Sequence, residues 1–269
     1  MTPERLFAGA TDRNREPILA VLQAVWASGK PVRDAAEVGD ALARYLMGRI
    51  YQVTESKAEA AQAYDAVIAG YEQQKKDAAA TLARPDLLAK NPGERLRLEG
   101  IVKNPPPDHV AASVFYSACL GYESGKFGEA LGKFQEFAKA FPQSPLLPEA
   151  QLRVGFCQAQ MKQFPEAIAT LQPMLDKQPR LADQIQFWLG KAQAGLALSI
   201  VDPAKAADRD NGLKNAINTL KAAADKANAL AATDPEAKIR RGEMLLEMAD
   251  TQQLAKQYKE AAGTYDQIL

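Results

Sequence analysis

The chain has 269 residues, of which 47% are hydrophobic, and its 33 basic residues balance its 33 acidic residues. This balance leaves no basic excess to attract phosphates, so a nucleic acid is not expected as a partner. No run approaches the roughly 20 apolar residues that cross a bilayer, and the first residues lack the apolar core of a signal peptide. The sequence predicts a soluble chain without membrane insertion, and it leaves the choice between cytoplasm and periplasm open.

Helices are expected almost throughout the chain. Alanine is abundant and β-branched runs are scarce, while glycines and prolines separate segments of helical length. A first helix is predicted within 1–33, where Gly29 and Pro31 end it. A pair of antiparallel helices is predicted over 34–75.

Residues 76–108 interrupt this pattern with several prolines, three of them consecutive at 105–107. Three consecutive prolines cannot continue a helix and favour an extended polyproline II segment. Because a long loop without structure of its own would be unusual, an insertion with one or two short helices is predicted. Its prolines and charged residues also make it an alternative docking element.

The clearest feature of the sequence is a repeat over 109–180. Aligning Ala130 with Ala167 (167 − 130 = 37 residues apart) also aligns Phe127 with Phe164, Phe134 with Leu171, and Pro142 with Pro179. A period in the thirties indicates stacked helical hairpins. The same spacing predicts five repeats: 34–75, 109–144, 145–180, 181–232 and 233–269. The fourth repeat has a lengthened loop at 201–212. The last repeat stops within a helix, which suggests either that the chain is a fragment or that a partner covers this end.

Small residues recur where the two helices of each hairpin should meet, because close approach requires small side chains. They are Gly48, Ala118, Gly155, Gly190 and Ala249 in the first helices, and Ala60, Ala130, Ala167, Ala216 and Ala261 in the second helices. One turn further on, large residues are expected to fill the space between neighbouring hairpins: Tyr64, Phe134, Leu171, Leu220 and Tyr265.

This pattern of small and aromatic residues with a closing proline resembles the tetratricopeptide repeat (TPR). The resemblance covers the chain outside 1–33 and 75–109. It implies an all-α, right-handed superhelical solenoid of antiparallel helix pairs, whose concave face is lined by the first helices and binds a peptide or a partner helix. The junction Phe-Pro-Gln-Ser-Pro at 141–145 is also similar to bacterial TPR proteins of the cell envelope, including those of outer-membrane assembly or the Tol–Pal system.

Candidate protein-binding residues follow from counting three positions before and one after each small residue of the first helices. They are Tyr45, Arg49, Phe115, Cys119, Leu152, Phe156, Phe187, Lys191, Leu246 and Asp250, with Tyr122 added as an aromatic residue that hairpin packing does not require. This mostly apolar set favours a groove for an amphipathic helix. The alternative that Phe115, Phe156 and Phe187 pack against one another stays open.

The sequence contains no motif that indicates a catalytic or metal-binding site. His109 is the single histidine, and Cys119 and Cys157 lie 38 residues apart (157 − 119) without a Cys-x-x-Cys motif. The run 128–134 lacks the spacing and the hydroxyl residue of a phosphate loop. The sequence therefore predicts a non-catalytic protein-interaction scaffold without a cofactor. Two alternatives are a structural subunit of a larger or self-associating assembly, including one of the cell envelope, and the N-terminal regulatory part of a longer protein.

Overall fold

The computed structural model describes residues 41–89 and 91–268, and every regular element within them is helical, which confirms the all-α prediction. The helix predicted within 1–33 lies outside the described residues, as do the first residues of the first repeat. The described α-helices are α1 (Ala41–Val53), α2 (Lys57–Leu82), α3 (Pro85–Leu88), α4 (Pro92–Lys103), α5 (Asp108–Glu123), α6 (Phe127–Ala140), α7 (Leu147–Gln160), α8 (Phe164–Leu171), α9 (Ala182–Leu198), α10 (Ala206–Leu230), α11 (Pro235–Leu254) and α12 (Tyr258–Tyr265).

The chain divides into two compact units, which are described separately. Unit 1 comprises 1–126 and 139–146, and unit 2 comprises 127–138 and 147–269. Helix α6 is therefore divided between them. Unit 1 contains the hairpin α1–α2, the helices α3 and α4, and α5. Unit 2 contains three hairpins, α7–α8, α9–α10 and α11–α12, and the first helices of these hairpins are α7, α9 and α11.

The core of unit 1 forms where α1, α2 and α5 pack together. Its centre is Tyr64 of α2, which is completely buried and shares a cluster with Tyr45, Val67 and Val110. Gly48 of α1 makes this packing possible, because a Cβ there would lie 2.5 Å from the Tyr64 ring. The predicted role of a small residue at this position is therefore confirmed.

Helix α2 is longer than the sequence suggested, since it continues to Leu82 beyond the boundary placed at 75. The extra turns are held by a second small core, in which Ala78 packs with Leu88 of α3 and Leu98 of α4. Burial of this apolar face stabilises helix where the repeat pattern has already been lost. The sequence 105–107 then precedes α5, with Pro107 in an extended conformation (φ −55°, ψ 149°).

The hairpins of unit 2 meet at the predicted small residues. A Cβ at Gly155 of α7 would lie 2.5 Å from Leu171 of α8, and one at Gly190 of α9 would lie 2.7 Å from Leu220 of α10. Because these glycines have no side chain, the leucine of the second helix can pack directly against the backbone of the first helix. Tyr265 of α12 differs from the expectation, because it is only partly buried.

The lengthened loop predicted at 201–212 is largely helical. A short 3₁₀ turn, Pro203–Lys205, leads directly into α10, which begins at Ala206. Asp202 caps this turn by accepting a hydrogen bond from the Ala204 N–H at 2.9 Å. The additional residues of this repeat thus extend its second helix, where Gly212 lies against Ala197 of α9.

Four turns between consecutive helices share one geometry. In each, an N–H returns to a carbonyl five residues earlier, a Schellman arrangement that closes the first helix; the four bonds are Ser56 to Tyr51, Lys126 to Gly121, Gln163 to Gln158, and Gln257 to Gln252, at 2.8–2.9 Å. The residue before each donor has a positive φ, and these residues are Glu55, Gly125, Lys162 and Lys256. The turn leads from each first helix into its second helix without a long loop.

Candidate functional site

Several residues predicted to face a partner are instead part of the core. The exposed fraction is 8% for Tyr45, 0% for Phe115, 1% for Leu152 and 9% for Phe156, and Cys119 is also buried. For these residues both counted offsets, three positions before the small residue and one position after it, therefore selected packing positions. Burial excludes these side chains from a docking surface, which corrects the sequence prediction.

In unit 1 the predicted residue Arg49 belongs to an aromatic cluster. Its guanidinium carbon lies 3.7 Å from the centre of the Tyr116 ring, and the Tyr64 and Tyr116 rings stack with centres 6.1 Å apart. Gln52 connects the two helices of the hairpin, because its Oε1 accepts from both Arg49 (3.2 Å) and the Tyr64 hydroxyl (3.0 Å). Burial raises the pKa of the Tyr64 hydroxyl well above its usual range. Arg49 is thus a packing residue that is only partly exposed.

Tyr122 is the remaining candidate of unit 1. It lies in the last turn of α5 and is half-buried.

In unit 2 the predicted aromatic residues pack against Trp188 of α9. The Phe156 and Trp188 rings have centres 4.4 Å apart, and the Phe187 and Trp188 rings meet edge-on at 5.6 Å. Such pairs add about 0.5–1.5 kcal/mol beyond the area that they bury. Phe156 therefore joins α7 to α9. The partner of both Phe156 and Phe187 in these contacts is Trp188, which neither of the two alternatives for the aromatic residues had named.

A groove with a volume of about 180 Å³ lies beside this aromatic packing, between the first helices α7, α9 and α11. We call it the first-helix groove. Its apolar lining includes Phe164, Trp188, Leu198 and Leu254. Leu198 and Leu254 are 41% and 56% exposed, so apolar surface remains open to solvent at the ends of α9 and α11.

Gly195 of α9 and Phe164 of α8 lie against each other in the lining of the groove. A Cβ at this position would overlap the Phe164 ring, so the glycine allows that ring to lie against the helix backbone. A small residue in a first helix thus brings an aromatic side chain of a second helix into the groove lining. Any larger residue at 195 would have to displace Phe164.

Three charged residues lie along the groove. Lys191 of α9 pairs with Glu247 of α11, and its ammonium group lies 5.3 Å from the Phe187 ring centre and 5.5 Å from that of Trp188. Asp250 of α11 accepts a hydrogen bond of 2.5 Å from the Tyr265 hydroxyl. This bond raises the pKa of Tyr265. Lys191 and Asp250 are the predicted candidates that the structure places together at one site.

Sequence reasoning missed most of the groove. Trp188, Gly195, Glu247 and Leu254 were not selected, because the offset rule considered only two positions around each small residue. The usable signal was the spacing of 188, 191, 195 and 198, which places these residues along one helix face. Leu246 was selected and is 50% exposed, but it does not line the groove.

The described residues were also searched for metal sites, membrane-spanning helices and disulfides. They contain no group of three or more His, Cys, Asp and Glu side chains that could hold a metal ion. Over the same residues, no helix combines the length and the apolar character that a membrane span requires. Both cysteines are buried, and neither forms a disulfide.

Comparison with known proteins supports the repeat fold. No protein-family model matches the sequence, and no curated protein matches it either. Solved structures do match, and two of them are a protein of Podosopora anserina described as a putative kinesin light chain with nearly identical TPR-like repeats and a variant of the same protein. Each is 16% identical and covers 84% of this chain and 91% of its own, with TM-scores of 0.51 and 0.52 for the unsubstituted protein and the variant. This chain therefore has an all-α, TPR-like helical solenoid fold.

Proposed function

We propose that this chain is a non-catalytic protein-interaction scaffold that binds a peptide or an amphipathic helix of a partner protein in the first-helix groove. One observation carries the proposal: three successive first helices of unit 2 line a groove with an aromatic side and a charged rim. The TPR-like fold supports it, because repeat folds of this kind create extended binding surfaces.

The size of the groove favours a protein segment over a metabolite. Its volume of about 180 Å³ lies below the roughly 300–1,000 Å³ of typical small-molecule sites. A groove of this size has space for a large side chain of a partner. Protein interfaces commonly depend on a few such anchoring side chains seated in pockets.

The test is a selection of random 12-residue peptides displayed on phage against the full chain. Peptides that are recovered would be synthesised, and their affinity measured by fluorescence anisotropy for the wild-type chain and for Leu254→Gln. Full burial of a leucine side chain contributes about 1.5–3 kcal/mol. Because Leu254 would be only partly covered, we expect Leu254→Gln to weaken binding about tenfold.

Ile239→Gln is the matched control. Ile239 is also an exposed aliphatic residue of α11, 69% exposed, but it does not line the groove. Its replacement should leave the affinity unchanged, and circular dichroism should show the same helicity for all three chains. Equal binding by both variants, or failure to recover any peptide that depends on Leu254, would show that the groove is not the binding site.

A structural role in an assembly is the second candidate function. Exposed apolar side chains on α11 and α12 favour it, since Ile239, Leu246 and Tyr258 are at least half exposed. The bacterial cell envelope suggested by residues 141–145 belongs to this candidate. Light scattering after size exclusion separates the two: a monomer at all concentrations favours the peptide-binding scaffold, and a stable oligomer favours the assembly subunit.

A further inference from the structure

The charges along the first-helix groove are not balanced. Lys191 contributes one positive charge, and Glu247 and Asp250 contribute two negative charges. The Lys191 ammonium is already paired with Glu247 and lies near the rings of Phe187 and Trp188. Asp250 therefore provides the uncompensated charge of this site.

The Asp250 carboxylate is held in place by neutral groups. Its Oδ1 accepts from the Tyr265 hydroxyl at 2.5 Å, and the Tyr265 oxygen in turn accepts from the Gln253 amide at 3.1 Å. A carboxylate can accept about four hydrogen bonds, so this bond orients Asp250 and leaves acceptor capacity for a partner. The neutral tyrosine does not cancel the negative charge.

We infer that the first-helix groove recognises a segment of a partner protein in which an arginine or lysine lies next to a bulky apolar residue. The apolar side chain occupies the groove beside Trp188, and the basic side chain pairs with Asp250. This inference rests on the proposed function and adds the chemistry of the partner.

An acidic segment fits this site poorly. To reach Lys191 it would have to displace Glu247 from an existing ion pair. It would also approach Asp250, and like charges in contact repel each other. A basic side chain meets neither obstacle, because it approaches an acceptor that is already oriented. The arrangement of charge therefore selects the sign of the partner residue.

The test repeats the random 12-residue peptide selection on three versions of the 269-residue chain: the wild type, Asp250→Lys and Asp225→Lys. Asp225 is the matched control, because it is an exposed aspartate of α10 outside the groove. With the wild type we expect arginine and lysine to be enriched next to a bulky apolar residue. The enrichment should be kept with Asp225→Lys, and with Asp250→Lys it should change to aspartate and glutamate.

Affinity measurements give the contribution of the ion pair with Asp250 to peptide binding. For a recovered peptide with a basic residue, replacement of that residue by glutamine should weaken binding to the wild type about threefold, as expected of an exposed ion pair. The same replacement should have no effect on binding to Asp250→Asn. Raising the salt concentration should reduce the difference between the two peptides.

The outcomes separate this inference from the proposed function. Peptides that depend on Leu254 but show no basic enrichment, an acidic enrichment, or no response to Asp250→Lys would overturn the inference and leave the groove as a binding site. Absence of any peptide that depends on Leu254 would overturn the proposed function and the inference with it. A basic preference that Asp225→Lys changes equally would assign it to the net charge of the chain, which also overturns the inference.

Discussion

At the scale of single residues, the turns between helices place some residues in an unfavourable backbone conformation. Lys162 occupies the left-handed region with φ 61°, next to the Gln163 N–H that bonds to the Gln158 carbonyl at 2.8 Å. A residue with a Cβ loses about 1–2 kcal/mol in this conformation, whereas glycine adopts it freely. The equivalent turn after α5 has glycine at this position, Gly125.

Replacing Lys162 by glycine should therefore stabilise the protein. Glycine also increases the entropy of the unfolded chain, so we expect a net gain of about 0.5–1 kcal/mol in the free energy of unfolding. Thermal melting followed by circular dichroism would show a rise of about 1–4 °C. Lys162→Ala is the control, because it removes the same charge and keeps the Cβ; equal melting temperatures for the two variants would contradict the explanation.

A second residue-scale feature is one that sequence reasoning could not find. The Thr170 hydroxyl donates to Gln158 Oε1 at 2.8 Å, and Thr264 donates to Gln252 in the same way. Each pair is 12 residues apart and joins the two helices of one hairpin. The side chains are polar, so apolar periodicity ignores them, and their partnership depends on the turn geometry that brings the helices together.

At the scale of helices, the sequence predicted contacts better than lengths. The small residues Gly48, Gly155 and Gly190 were placed correctly, since close packing leaves a direct trace in residue size. The start of α10 was placed incorrectly, because Asp, Asn and Gly around 201–212 also suit a loop. In α10 the decisive factor is packing against α9, which no single-sequence propensity records.

Gly212 of α10 provides a test of that packing. Glycine is a poor helix former, so Gly212→Ala would ordinarily stabilise a helix by about 1 kcal/mol. Here a Cβ at 212 would lie 2.7 Å from the Cβ of Ala197 in α9, and overpacking of this kind costs about 1–3 kcal/mol. We therefore expect Gly212→Ala to lower the free energy of unfolding measured in urea.

The companion variant Ala197→Gly makes this a double-mutant cycle. Removing the methyl group of Ala197 opens the space that the new methyl group at 212 requires. The double variant should then be more stable than the sum of the two single changes predicts, by about 1 kcal/mol or more. Additive effects would show that α9 and α10 are not in close contact at these residues.

At the scale of the whole molecule, the site was harder to predict than the fold. A repeat fold follows from spacing that recurs along the chain, whereas the first-helix groove requires Lys191, Glu247 and Leu254 from two different repeats to be brought together. The spacing within one repeat contains no information on that arrangement. The predicted residues Leu152 and Phe156 were for the same reason assigned to a surface, although first-helix packing buries both side chains.

The division into two units predicts how a local change spreads through the chain. Asp183 of α9 is completely buried, and Arg240 of α11 donates to its Oδ2 at 3.0 Å through Nε and also pairs with Asp234 at 2.8 Å. Arg240→Leu would leave a buried carboxylate without its partner, a change that costs about 3–5 kcal/mol. In repeat folds each hairpin is stabilised mainly by its neighbours, so this loss should remain within unit 2.

Hydrogen–deuterium exchange with mass spectrometry can follow that loss along the full chain. In Arg240→Leu we expect faster exchange in α9, α10 and α11, and unchanged protection in α1 and α2 of unit 1. Adding Asp183→Asn should restore part of the protection, because the remaining polar group is neutral and costs less to bury than a charge. Faster exchange of equal size in α1 and α2 would show that both units unfold together, and it would contradict the local stabilisation that a repeat fold implies.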